Sequence, residues 1–224
     1  MIRTATVILS LAFLWTLGDS SLITKTVSLA KEQPGSAWLN PDLDELLTGL
    51  ENFNRRNRML NVSREDGIFL KMLAELEQAK NILEIGASNG YSGIWFGLAL
   101  KNTGGHLTTI DLSPEKVRMA RENFEKAGLS DVITVLEGDA HEIIRKLDGP
   151  FDLVFIDAEK SGYLDYLKAT LPKTKTGGII AGHNAIDLAS GMRDYLDLAQ
   201  NHPNLETVII STGNDGICVS RKIK

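Results

Sequence analysis

The stretch Leu83-Glu84-Ile85-Gly86-Ala87-Ser88-Asn89-Gly90-Tyr91-Ser92 decides the fold. It begins within the short apolar run Asn81–Ile85 and leads into an apolar segment reaching Leu100, which reads as strand, tight turn and helix. Gly86 and Gly90 permit a sharp turn and a close approach of backbone to a ligand. Their spacing is G-x-x-x-G, whereas dinucleotide loops carry G-x-G-x-x-G. Glu84 stands inside the strand end, where a carboxylate repels phosphate and favours a cation or a hydroxyl or amine donor.

Outward from this unit, strand and helix signals alternate. Asn40-Pro41-Asp42 opens a helix with Leu43, Leu46, Leu47, Leu50 and Phe53 on one face. A second helix begins near Ser63, with Asp66 three residues on as a cap signature and Ile68, Phe69, Met72, Leu73 and Leu76 as its apolar face. Further strands are expected at 107–110, 132–136, 153–156, 179–181, 207–211 and 216–220. Helices fit at Pro114 to Gly128, around 143–147, at 163–171 and near 192–199. The four residues 212–215 join the last two strands, and so short a loop demands an antiparallel hairpin. The pattern is an α/β fold, a doubly wound and mostly parallel sheet with helices on both faces. Such sheets bind ligands beyond the carboxyl ends of their strands. Polar residues collect there: Glu84, Asp111, Asp139, Asp157 and the pair His183-Asn184.

Composition bounds the reading. With 224 residues, 43% of them hydrophobic and 24% charged, the chain suits one domain or at most one and a half. A net charge of −5, from 24 basic and 29 acidic residues, argues against nucleic acid as a partner. The single cysteine, Cys218, excludes an internal disulfide and a cysteine-rich zinc site. Residues 4–18 carry no charge and follow Arg3, but as a helix they reach only ~22 Å, short of a ~30 Å hydrocarbon core. Residues 1–20 are therefore expected to be a signal peptide or a membrane anchor, with membrane contact through 4–18. Residues 21–38, with Pro34-Gly35-Ser36, read as a linker, and 39–224 as the folded domain.

Asp111 ends the second strand, where an acid accepts both hydroxyls of a ribose. With Glu84 it points to a nucleoside bearing a positive tail, S-adenosylmethionine (AdoMet). From about Leu60 onward the chain resembles the AdoMet-dependent O-methyltransferases of the catechol and caffeoyl-CoA type. The resemblance is carried by Asn61-Val62 with Gly67, Leu83 to Ser92, Thr109-Ile110-Asp111, Gly138-Asp139-Ala140, Phe151 to Tyr166, Gly177 to Asn184, and Asp215-Gly216. It implies a Rossmann-like sheet of seven strands, the last antiparallel, and methyl transfer to a hydroxyl of a small, phenolic or catechol-like acceptor. It also implies that Val62, Glu84, Gly86, Ser92, Asp111, Asp139 and Ala140 bind the cofactor. Lys160 would be the general base near the acceptor hydroxyl, and Asp157, His183 and Asn184 the metal ligands.

At one position the chain departs from the family it resembles, whose usual pair is Asp-Asn where this sequence has His183-Asn184. An imidazole in place of a carboxylate shifts preference from magnesium toward softer divalent ions. Three readings follow: a softer metal, weakly bound magnesium, or no metal, with His183 a general base or acceptor clamp at near-neutral pKa. Lys160 would deprotonate or steady a phenolate. Tyr163 and Tyr166 are expected to pack, as are Trp15, Trp38 and Trp95, and His106, His141 and His202 to lie at the surface. The loop 185–191 is short, which suggests a small and open acceptor site. Two other classes stay open: a non-catalytic AdoMet-binding protein and a nucleotide-dependent oxidoreductase. A homodimer is also expected. Because AdoMet is made in the cytosol, export would part the enzyme from its cofactor, and either an anchor holding the domain on the cytosolic side or an ordinary extension at residues 1–20 resolves the conflict.

Overall fold

The computed structural model describes residues 38–57, 59–213 and 215–224. The expected leader, and the linker as far as residue 37, lie outside the described residues. Helix α1 (Pro41–Asn57) opens where Asn40 Oδ1 accepts the Asp42 N–H at 2.9 Å. Helix α2 (Arg64–Leu76) has the expected cap in full: Ser63 Oγ accepts the Asp66 N–H and the Asp66 carboxylate accepts the Ser63 N–H. Then follow β1 (Asn81–Ile85), α3 (Tyr91–Thr103), β2 (His106–Asp111), α4 (Pro114–Lys126), β3 (Ile133–Glu137), α5 (Ala140–Lys146), β4 (Phe151–Ile156), α6 (Tyr163–Thr170), β5 (Thr174–His183), α7 (Arg193–Asn201), β6 (Leu205–Ile210) and β7 (Ile217–Lys222).

Seven strands form one sheet in the order β3-β2-β1-β4-β5-β7-β6. The pairs among β3, β2, β1, β4 and β5 are parallel, and β7 runs antiparallel to both β5 and β6. The chain winds outward from β1 to β3, then restarts at β4 beside β1. The gap between the carboxyl ends of β1 and β4 is the switch point at which such sheets place ligands. Central strands buried on both faces read as continuous apolar runs, as in Leu153 to Ile156, all fully buried. Their core continues into Tyr163 and Leu167 of α6 and Tyr195 and Leu196 of α7.

Two expected helix faces are corrected. On α1, Leu47 and Leu50 are buried as expected, but Phe53 is exposed and Asn54 is buried in its stead. On α2 the inward face is Asp66, Gly67, Leu70 and Ala74, while Met72 and Leu76 face solvent. The cause is close packing: a Cβ on Gly67 would collide with the Trp95 indole of α3, so α2 turns its glycine, not its bulky residues, toward that ring. Among the described residues, no helix is long and apolar enough to cross a membrane.

Candidate functional site

A cleft of about 960 Å³ opens over the carboxyl ends of β1, β2, β3, β4 and β5. Its floor begins at Gly86, with φ of +105°, where a Cβ would strike the carbonyl oxygen of Asp157. A side chain there would force β1 and β4 apart, so the glycine is required both by its dihedral and by its neighbour. The turn is stiffened by amides. Asn61 Nδ2 donates to Asn89 Oδ1 at 2.6 Å, Ser88 Oγ donates to Asn61 Oδ1 at 2.9 Å, and the buried Asn89 Nδ2 donates to Asn54 Oδ1 at 2.7 Å. These asparagines are single polar residues from three segments, and no local pattern marks them as partners.

Asp111 lines the cleft, fixed by two backbone donors: the Ser88 N–H on Oδ2 at 2.8 Å and the Ser113 N–H on Oδ1 at 2.9 Å. Each oxygen keeps a second lone pair, the acceptor pair that a vicinal diol such as a ribose requires. Asp139 caps α5 by accepting the His141 N–H at 2.8 Å, and Gly138, Asp139, Ala140 and His141 together form one wall. The His141 ring stacks on Tyr166 with centroids 4.5 Å apart, and the Tyr166 hydroxyl donates to Glu159 Oε1 at 2.6 Å. Both rings line the cleft, so His141 is more than a surface residue and Tyr166 more than core packing. Met59, Leu60, Leu112 and Leu188 add apolar walls, and Leu60 and Leu112 stay largely exposed at the mouth. Exposed leucines carry no sequence signal of a ligand site, which is why reading the sequence missed them.

The remaining cofactor candidates lie one layer deeper. Glu84 is fully buried and accepts hydrogen bonds from Ser92 Oγ at 2.6 Å and Thr109 Oγ1 at 2.5 Å. Burial pushes its carboxyl up to about 7 against the pull of those two hydroxyls. Val62 is likewise buried. Among the described residues the cleft lining holds Gly86, Asp111, Asp139 and Ala140, while Val62, Glu84 and Ser92 stand behind it.

The far end of the cleft holds Asp157, Lys160 and Asn184. Lys160 is not a solvated surface lysine. Its Nζ donates to the Tyr163 hydroxyl at 2.6 Å, the Ala158 carbonyl at 3.1 Å and Asp157 Oδ1 at 3.2 Å, and the Tyr163 hydroxyl donates on to the His183 carbonyl at 3.3 Å. Three acceptors occupy all three protons of an ammonium. Behind Asp157 lies His183, its side chain 3% exposed. Nδ1 faces Asp157 Oδ2 at 3.5 Å, and Nε2 faces Asp66 Oδ2 at 3.3 Å and Asp215 Oδ2 at 3.8 Å. Burial alone would lower the imidazole pKa, but the bonds and charges of Asp157 and Asp66 outweigh it and raise it to about 10. Asp157 is in turn held below the usual carboxylate range by His183 and Lys160, although burial opposes this. The expectation of a near-neutral His183 acting as a base therefore does not hold: the ring is a cation among carboxylates. Asp66 and Asp215 joined no expected site, because they reach His183 from α2 and from the loop before β7.

A hard divalent ion at Asp157, His183 and Asn184 does not fit this arrangement. Both ring nitrogens of His183 point at carboxylates, and ligation needs a bare nitrogen. The Asn184 Nδ2 donates to Asp187 at 3.2 and 3.3 Å, which leaves Oδ1 as the one atom of that amide able to ligate. Asp66, His183 and Asp215 bring ligand atoms within 4.8 Å of one another. There too Asp66 is already engaged, by Ser63 Oγ at 2.8 Å, by the Ser63 N–H at 3.3 Å and by the Thr212 hydroxyl.

Residues 36–223 match the model of a family described as O-methyltransferase. A catechol O-methyltransferase of Niastella koreensis is 40% identical over 131 residues, a match spanning 57% of this chain and 59% of that protein. A caffeoyl-CoA O-methyltransferase of Eucalyptus gunnii is 32% identical over 189 residues, 74% of this chain and 75% of that one. The O-methyltransferase of Bacillus cereus, solved in complex with SAH, is 29% identical with a TM-score of 0.72, covering 91% of this chain and 97% of that one.

Proposed function

The chain belongs to the O-methyltransferase family, and from that premise we propose that it transfers a methyl group from AdoMet to a hydroxyl of a small phenolic or catechol-like acceptor. The observation that carries the reading is the placement of Asp111 and Lys160 in one cleft, a diol acceptor and a cation on either side of the β1–β4 switch point. The cleft's volume accommodates a nucleoside and a small acceptor together.

When bound, AdoMet supplies a methyl already activated on sulfonium, so that a C–O bond forms as the C–S bond breaks. The protein's residues have three tasks. Asp111 holds the ribose diol, its own position set by the Ser88 and Ser113 N–H groups. The 138–141 wall and the Tyr166 ring bound the adenine. Glu84, behind Gly86, sets an acid under the cofactor's amino end, with Val62 and Ser92 packed beside that end. Of the two roles expected of Lys160, steadying a phenolate suits its hydrogen bonding better than taking a proton. An ammonium beside a phenol lowers the phenol's pKa, and the proton leaves to solvent past Leu60 and Leu112. Alignment of the oxygen with the methyl then supplies much of the rate.

The test is incubation with AdoMet and a panel of phenols, scoring methyl ether and S-adenosylhomocysteine by mass spectrometry. The expected result is both products, with AdoMet affinity falling at least about tenfold in Asp111→Ala. A protein that binds no AdoMet sinks the proposal. One that binds it but turns over no acceptor favours the non-catalytic reading.

A further inference from the structure

We propose that the His183 ring, clasped between Asp66 and Asp157, is a resident cation standing in place of a divalent metal, so that the acceptor is held through one oxygen at Lys160 rather than chelated through two. The inference rests on the reading of the cleft as an O-methyltransferase site and names its acceptor class: phenols with a single hydroxyl suffice.

The geometry carries the first half. One carboxylate faces each ring nitrogen, Asp157 on Nδ1 and Asp66 on Nε2, with Asp215 as a third on the Nε2 side. An imidazole serves carboxylates on both nitrogens only when both carry protons, and such a ring has no lone pair for a metal. The clasp is built rather than incidental. Asp66 is fully buried and fixed by Ser63 and Thr212, and it sits 117 residues from His183 in sequence.

The second half follows from where the ring can reach. A metal at such a site compensates nearby carboxylates and also binds acceptor oxygens. His183 does the first for Asp157 from behind, as Lys160 does from the cleft side. It does not do the second: its side chain is 3% exposed and, among the described residues, stands outside the cleft lining. At the Asp157 end of the cleft the acceptor meets the Lys160 ammonium, whose protons are taken up by Tyr163, Ala158 and Asp157, so that it acts on a single anionic oxygen through its charge alone. Chelating a vicinal diol needs two open coordination positions on one ion, which no ammonium offers. The second hydroxyl of a catechol therefore adds little.

The experiment uses the full chain, stripped with EDTA and titrated with Mg²⁺ and with Zn²⁺ by calorimetry, alongside turnover of 4-methylphenol and of 4-methylcatechol. The expected result is no stoichiometric uptake of either metal and rates equal within about twofold with and without EDTA. The monophenol's kcat/KM is expected to lie within about tenfold of the diol's. His183→Asp is expected to gain Mg²⁺ uptake. Should that variant fail to fold, the wild type still decides: with ¹⁵N-labelled histidine, one of the four histidines keeps both ring nitrogens protonated at about pH 8. Stoichiometric metal uptake by the wild type overturns the proposal, and its loss in Asp215→Asn would place that metal at Asp66, His183 and Asp215. Metal-restored activity, methylation of the diol alone, or a His183 nitrogen without a proton overturns it equally. Failure to bind AdoMet counts against the enzymatic reading, whereas the metal titration judges His183 by itself.

Discussion

Glu84 is where one residue's chemistry becomes a property of the whole protein. Its carboxyl ionises near 4.5 when the chain is unfolded and near 7 when folded, because burial penalises the anion. A raised folded pKa means that its contribution is fully present below about pH 4.5 and is lost as pH rises through about 7. Urea unfolding of wild type and Glu84→Gln at about pH 4.5 and about pH 6.5 is expected to show a stability drop of about 2 kcal/mol in the wild type, much reduced in the variant. An identical drop in both would assign the slope elsewhere. His183 adds a loss of the same sign at higher pH, between about 6.5 and about 10. How much of this was legible depended on distance along the chain. Glu84, Asp111 and Asp157 each end an apolar run, so their types and places could be read directly. The company of His183 could not: Asp66 reads locally as a cap partner, and only the fold turns its other face to a histidine.

At the scale of elements, α2 shows how a cap and a face are specified separately. The Ser63–Asp66 box was visible as a motif, and its removal is predictable. Ser63→Ala takes a hydroxyl from the Asp66 N–H and from the Asp66 carboxylate, which should cost about 1 kcal/mol. By scanning calorimetry that is a fall in Tm of about 2–4 °C for a domain of this size, and an unchanged Tm would mean the cap carries no weight. The face of α2 was misread for a physical reason. Periodicity counts bulky side chains, while a helix packed beneath a large ring such as the Trp95 indole buries its glycine there. The strands were easier, because buried parallel strands are unbroken apolar runs. Only their polar extensions escaped notice, as in β5, which begins at Thr174 rather than near 179.

For the whole molecule, the division into leader, linker and domain yields its own experiment. We propose that residues 39–224 are self-sufficient and that residues 4–18 contact a membrane. Residues 39–224 expressed alone should bind AdoMet within about twofold of the full chain, since a domain carries its own core. A large loss of affinity would give the first segment a part in the fold. Fractionation with protease protection tests the other half: a membrane-bound domain protected until lysis supports cytosolic anchoring, and a shortened exported form refutes it. A last consequence lies in β7, which is inserted between β5 and β6 although it follows both in the chain. During synthesis on the ribosome β5 waits with a bare edge, and Asp66 and His183 wait without Thr212 and Asp215, until the chain through Lys222 has emerged. Until then the nascent sheet presents an unpaired strand edge, the surface through which incomplete chains aggregate, and β7 closes it last.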